Sequence, residues 1–345
     1  MPRRAMLRRV MPRAATLRPV TARPEVPGGL PVQPAPFSLA MQRRLLELLI
    51  CPRCLPAEKP LRASMCELRG DEVYAATLDC PKCRATYPIC DGLATLLPAG
   101  AAEDLYTSSD RLASYLWSHY ADLEDDPDAH QAFPAWGRLC AGAGTPALDA
   151  GCAVGRLSFE LARQSELVIG IDRAPGFVLA ARTLAHAHRL GYELVSEGDL
   201  NETRTVRLPA DLPRGRVEFL VADALALPFP ASLFGTAASL NLLDRVPLPR
   251  LHLTELNRVS RKTGATLLLA SPWSWAAGPA IPEEWLGGRQ SGPGAGVGRE
   301  NVRRLLEGMG RPPWRVVDNG RISWTIRHHR NHFELIHSDY LLVRR

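Results

Sequence analysis

The chain has 345 residues, 46% of them apolar and 23% charged, with a formal net charge of +6. This is the composition of a soluble globular protein with room for an α/β domain and a smaller module, and no run of about 18 apolar residues marks a membrane span. The charge excess is local, because residues 1–40 hold seven arginines, no lysine and one acid, Glu25. The remainder carries as many acids as cations, so charge does not point to a nucleic-acid partner.

Residues 1–40 are rich in Arg and Pro. Such a segment cannot bury enough apolar surface to fold alone, and it reads as a disordered tail ahead of a second candidate start at Met41. An Arg-rich, acid-poor leader is also the composition of an organelle transit peptide, but serine is scarce and the prolines interrupt any amphipathic helix.

Residues 41–98 carry two CxxC knuckles, Cys51–Cys54 and Cys80–Cys83, separated by 25 residues. Each knuckle aims two thiolates at one point, and two knuckles complete a closed tetrahedral site for a structural zinc ion. The intervening LRASMCELRGDEVYAATLD predicts a hairpin. A disulfide or thioredoxin-type pair would need a secretory context or a single CxxC beside a βαβ unit. Cys66 and Cys90 read as packed small side chains. Metal thiolates place the chain in a reducing compartment, so the expected location is cytoplasmic.

Residues 99–145 read as a helical linker or lid, with LYTSSDRLASYLWSHY (105–120) as its main helix. From residue 146 strands and helices alternate. ALDAG is the first strand, followed by the helix VGRLSFELARQ. LVIGID (167–172) leads into a helix that reaches about Leu190. VEFLVAD (217–223) and TAASLNL (236–242) are the next strands, and the helix LPRLHLTELNRVS precedes ATLLLASP (265–272). This alternation predicts a doubly wound, mostly parallel sheet of seven strands, an α/β fold. The last two segments, WRVVDNGRISWTIRHHR and FELIHSDYLLVRR, close it as an antiparallel pair.

In such a sheet, ligands sit beyond the C-terminal strand ends. Gly151 and Gly155 follow the first strand and let the backbone approach a ligand, with the helix N–H groups behind them. Ala153 stands where a nucleotide loop expects a third glycine. Its methyl is tolerated if the residue keeps an ordinary backbone angle. Asp172 ends the second strand, 21 residues after Gly151, where an acid can accept both hydroxyls of a ribose. A dinucleotide-binding dehydrogenase shares these features, but here GxGxxG is absent, the third strand also ends in an acid, and the tail is an antiparallel pair.

That arrangement resembles the class I S-adenosylmethionine-dependent methyltransferases. The resemblance implies a cofactor site made of Asp149, Gly151, Cys152, Ala153, Gly155, Asp172, Arg173, Asp223, Ala224 and Asn241. In this class the acid after the third strand, or the amide after it, meets the adenine amino group, and Asn241 with Leu242 borders the methyl group. LLELLICPRC and LDCPKCRATYPICDGLATLLP (about 42–98) resemble the zinc-ribbon activator subunits of methyltransferases, which dock against their catalytic partner. DAGCAVGRLSFELAR, VIGIDRAPGF, NLLDRV and SPWSWAAGPAIPEEWLGG resemble the mercaptohistidine N-methyltransferase family of ovothiol biosynthesis over most of 105–345.

This second resemblance implies a small thiol-bearing amino acid as acceptor, supplied by a separate sulfoxide synthase. Asp244 and Arg245 follow the fourth strand and are expected to face the cleft. There Arg245 can clamp a carboxylate or thiolate and Asp244 can orient the imidazole, with Asn241 beside them as the third catalytic candidate. Tyr106, His119 and Tyr120 on the lid, with Trp273 and Trp285 as aromatic walls, are the candidate acceptor-binding residues. Two other readings stay open. One is an rRNA or tRNA base methyltransferase that grips RNA with its ribbon. The other is a non-catalytic binding protein with this fold.

Overall fold

The computed structural model describes residues 40–97 and 108–345. The tail and Tyr106 lie outside them. No helix among these residues is long and apolar enough to cross a membrane.

The larger sheet contains β1 (Ala147–Ala150), β2 (Val168–Asp172), β3 (Val217–Val221), β4 (Thr236–Leu240), β5 (Thr266–Ser271), β6 (Arg315–His329) and β7 (His332–Arg344). Their order across the sheet is β3-β2-β1-β4-β5-β7-β6. The first five are parallel, while β7 runs antiparallel between β5 and β6. This is the expected class I arrangement. The strands β1, β3 and β5 are buried along their whole length, as strands covered on both faces must be.

Successive side chains point to opposite faces. Leu148, Ile169, Ile171, Leu220, Leu267 and Leu269 enter one cluster, and Val168, Phe219, Val221 and Leu268 enter the other. The second face is covered by α1 (Ser109–Tyr120), α2 (Ala132–Leu139), α3 (Arg156–Leu161) and α4 (Pro175–Ala187), and the first by α5 (Pro249–Val259) and α6 (Gly298–Gly308). Helix α1, read from the sequence over 105–120, starts at Ser109, with Ser108 as its cap: Ser108 Oγ accepts from Arg111 N at 3.4 Å.

The predicted helix after β2 stops at Ala187, because His188 turns left-handed at φ 64°. A hairpin then follows, Arg189–Glu197 against Leu200–Arg207. The sequence reading had no element between the helix and β3. Its signal is the alternation that buries Tyr192, Leu194 and Val206 on either side of a turn at Gly198.

The ribbon forms a second sheet. Arg62–Arg69 and Glu72–Asp79 make the predicted hairpin, turned at Gly70, and Thr86–Cys90 pairs on the other side of Glu72–Asp79. Its core is continuous with that of the larger sheet, since Met41, Leu45, Val73, Tyr87, Ile89 and Leu96 share one cluster with Ile169, Leu220 and Phe229. The join is also a strand pairing. Thr95 bridges in parallel to Val221 at the end of β3, and Leu96 N donates to Val221 O at 2.8 Å. Glu58 completes it, accepting from Ala231 N and from Arg258 on α5, both at 2.8 Å.

Candidate active site

The four knuckle cysteines come together, with their sulfurs all within 4.8 Å of one another. Cys51 Sγ lies 3.6 Å from Cys83 Sγ, and Cys54 Sγ lies 3.7 Å from Cys80 Sγ. A tetrahedron with metal–sulfur bonds of about 2.3 Å has edges of about 3.8 Å, so the donor set fits one closed tetrahedral ion. Burial raises the Cys80 thiol, but N–H groups of Cys83 and Lys82 outweigh it and bring it down to about 6. Cys66 and Cys90, expected to be packed, are exposed on the ribbon strands instead.

At the C-terminal ends of β1 to β4 stand Gly151, Asp172, Asp223 and Asn241. The parallel register brings them there: Ala150 pairs with Ile171, Val221 with Asp172, and Asp149 with both Gly170 and Ala238. Gly151 and Cys152 both donate their N–H to Ile171 O, which folds the loop over the end of β2. Asp172 spans two backbones. Its Oδ2 accepts from Ala153 N at 3.0 Å, and its Oδ1 accepts from Ala174 N at 2.9 Å. Asp223 Oδ1 accepts from Leu225 N at 2.9 Å, and Arg173 reaches Asp223 Oδ2 at 3.4 Å.

Several expectations need correction. Ala153 does not keep an ordinary angle, since its φ is +45°. Gly155, at φ +87°, serves packing more than ligand approach: a Cβ there would come within 2.6 Å of Phe219 Cζ and 2.9 Å of Ala181 Cβ. Asp149 lies beneath the loop, 1% exposed, and accepts from Ser158 Oγ at 2.7 Å. Burial pushes its carboxyl up to about 7.

On the acceptor side, Asp244 does not face the cleft. It is buried, and its oxygens accept from Ser271 Oγ at 3.1 Å and Ser274 N at 2.8 Å. It ties the loop after β4 to the loop after β5, and burial raises its pKa. Arg245 is the group left outside, 41% exposed, with its Nε 3.9 Å from Asp244 Oδ2. Asn241, at φ +55°, turns its Oδ1 to accept from Ser338 Oγ at 2.6 Å, which anchors β4 to β7.

Tyr120 is buried and donates to Val154 O at 2.7 Å, so it supports the loop after β1 and is not free to line a cleft. His119 is also buried, 4.0 Å from the Phe133 ring centre, and burial pushes its imidazole down to about 3. Trp273 and Trp275 pack together just beyond β5, with ring centres 6.4 Å apart and Gly298 against them. Trp285 instead donates to Ala280 O at 3.0 Å within its own loop.

Sequence reasoning missed Arg156. It follows Gly155, is 1% exposed, and binds Asp122 at 2.7 Å, Glu160 at 2.9 Å and His119 O at 3.1 Å. It fastens α1 to the loop after β1. Its signal is its place in GCAVGR, next to the loop's last glycine.

Residues 148–268 match a family model described as a methyltransferase domain. None of the curated proteins compared matches the chain. Among solved structures, the chain is similar to a protein studied in the conversion of a disulfide bond into a thioacetal group during echinomycin biosynthesis: 22% identity, 61% of this chain and 80% of that one, TM-score 0.41. It is similar to the magnesium protoporphyrin IX methyltransferase of Synechocystis PCC 6803 at 16% identity, covering 72% and 87%, TM-score 0.38. A SAM-dependent methyltransferase of Aquifex aeolicus aligns at 18% identity, covering 64% and 95%, TM-score 0.36. The matched family span holds Asp149, Gly151, Asp172, Asp223 and Asn241 at the strand ends of the larger sheet, so residues 148–268 form a methyltransferase domain.

Proposed function

We propose that the chain methylates an imidazole nitrogen of mercaptohistidine or a similar small thiol-bearing amino acid, with a structural zinc ion in its ribbon. The observation that carries the acceptor reading is Arg245. Its guanidinium stands half-exposed beyond β4, and its approach to Asp244 is longer than a hydrogen bond. Asp244 spends its hydrogen bonds on the 271–274 loop, so Arg245 keeps its N–H donors for another anion while standing 3.9 Å from the Asp244 charge. A planar fork in that state is suited to a carboxylate or thiolate of a small acceptor.

The residues present fit the cofactor by their chemistry. Asp172 offers acceptors for ribose hydroxyls, and Asp223 offers one for the adenine amino group. When bound, S-adenosylmethionine supplies an electrophilic sulfonium methyl group. The protein's own work is then orientation. Arg245 holds the acceptor by its anionic group, Trp273 and Trp275 back the cleft, and α1, fastened by Arg156, covers the loop. Presenting a ring lone pair in line with the methyl carbon accounts for most of the acceleration such a site can give.

The reading is tested by incubating the full chain with S-adenosylmethionine and mercaptohistidine, with histidine and bulk RNA as parallel acceptors, and reading products by mass spectrometry. One added methyl on mercaptohistidine alone supports it. Transfer to RNA, or none to mercaptohistidine, overturns it.

A further inference from the structure

His252 takes no part in the steps above. It lies on α5, fully buried between β4 and the loop that leaves β3. Its Nδ1 is 3.2 Å from Ala224 O and its Nε2 is 2.9 Å from Ser239 Oγ. A carbonyl oxygen only accepts, so Nδ1 carries the proton and Nε2 accepts from the Ser239 hydroxyl. Burial pushes the imidazole down to about 4, which keeps that neutral ring in place at neutral pH.

The peptide that joins Ala224 to Leu225 is gripped at both ends. His252 donates to its carbonyl oxygen, and its N–H donates to Asp223 Oδ1 at 2.9 Å. A peptide unit is planar, so these two bonds fix one another's direction. A carbonyl that swings away from His252 takes the N–H away from Asp223. One turn further along α5, Glu255 Oε2 accepts from Leu227 N at 2.8 Å. The loop therefore keeps a second attachment if His252 is changed.

We propose that His252 is a positioning residue for the nucleobase: through the Ala224–Leu225 peptide it sets the Asp223 carboxylate that takes the adenine amino group. This rests on the reading of Asp223 as the adenine acceptor. A histidine that merely packs would affect stability without distinguishing one nucleobase from another.

The test titrates the full chain calorimetrically with S-adenosylhomocysteine and with its analogue bearing hydrogen in place of the 6-amino group. His252→Leu is expected to weaken the first ligand about tenfold and leave the analogue unchanged. His252→Asn, whose amide can reach the Ala224 carbonyl, is expected to recover most of the loss. Ser239→Ala removes only the outer bond and gives a smaller loss with the same selectivity, readable even if the leucine variant fails to fold. Combined with Asp223→Asn, His252→Leu should add nothing, because both act through one carboxylate. Equal losses for both ligands, additivity with Asp223→Asn, or an unchanged affinity in His252→Leu and Ser239→Ala overturn the inference while leaving the cofactor reading intact. Failure of the unaltered chain to bind either ligand overturns the cofactor reading and the inference with it.

Discussion

The backbone N–H of Ala153 donates to Asp172 Oδ2 at 3.0 Å from a left-handed residue, φ +45°. The loop after β1 and the acid after β2 are thus one unit, and its geometry is held against a backbone cost of roughly 1 kcal/mol for a residue with a Cβ. Ala153→Gly removes that cost but frees the unfolded chain by about 0.4–1 kcal/mol, so its stability should change by less than about 1 kcal/mol. Ala153→Val places a branched side chain at a strained position that is only 7% exposed, and should destabilise by more than about 2 kcal/mol. Urea denaturation of both variants checks the pair.

Asp149 gives the chain a pH dependence. Its folded carboxyl lies at about 7, above its ordinary value of 3.8, because it is buried. Ionising it costs more in the folded state, so its contribution to stability falls as pH rises between those two values. Asp149→Asn keeps an acceptor for Ser158 without the charge. The variant should gain on the unaltered protein from pH 5 to pH 7, by on the order of 1 kcal/mol per pH unit. Denaturation midpoints at pH 5, 6 and 7 measure the trend. Parallel curves would sink this reading.

The ribbon and the nucleotide end of the sheet should respond together. With Leu96 bonded to Val221, two residues before Asp223, loss of the Cys₄ site is expected to loosen both. The full chain should hold one zinc ion by elemental analysis. Cys54→Ser or Cys80→Ser should lose it, because a structural zinc site contributes about 10–16 kcal/mol of binding free energy to its fold. S-adenosylhomocysteine affinity should fall in the same variants. Unchanged affinity in a zinc-free chain would separate the two ends.

Arg258 is the second fastening of the ribbon. Its guanidinium donates to Glu58, Glu255, Leu227 O and Phe229 O, all between 2.7 and 2.9 Å. Arg258→Met removes all of these charge-assisted bonds and leaves the Glu58 and Glu255 carboxylates without their cation, which should cost about 2 kcal/mol or more, read by chemical denaturation. Glu58→Gln keeps an acceptor for Ala231 N and should cost less.

Arg245→Lys should raise the acceptor KM about tenfold with little change in S-adenosylhomocysteine affinity, since an ammonium cannot make a two-pronged contact. Equal effects on both ligands would place Arg245 outside the acceptor site.

The features legible in the sequence were local ones. CxxC spacing, the acids ending β2 and β3, and apolar strands between helices each depend on a few neighbouring residues, and the structure holds them in the expected places. What stayed hidden depends on partners far along the chain. Asp244 looked like a cleft acid until Ser271 and Ser274 were found to occupy it. Ala153 gives no sign of its angle, which is fixed by Asp172. The 189–207 hairpin mixes its few apolar residues with charged ones, and its alternation gains weight only from the helices it packs against.

The central claim is that Asp172 anchors a nucleoside cofactor on this loop. Calorimetric titration of the full chain with S-adenosylhomocysteine, repeated for Asp172→Ala, tests it most directly. The account predicts one-to-one binding that weakens at least about tenfold in the variant, as loss of a charged acceptor from ribose hydroxyls requires. Equal affinity in the two proteins, or no binding by the unaltered chain, would contradict it.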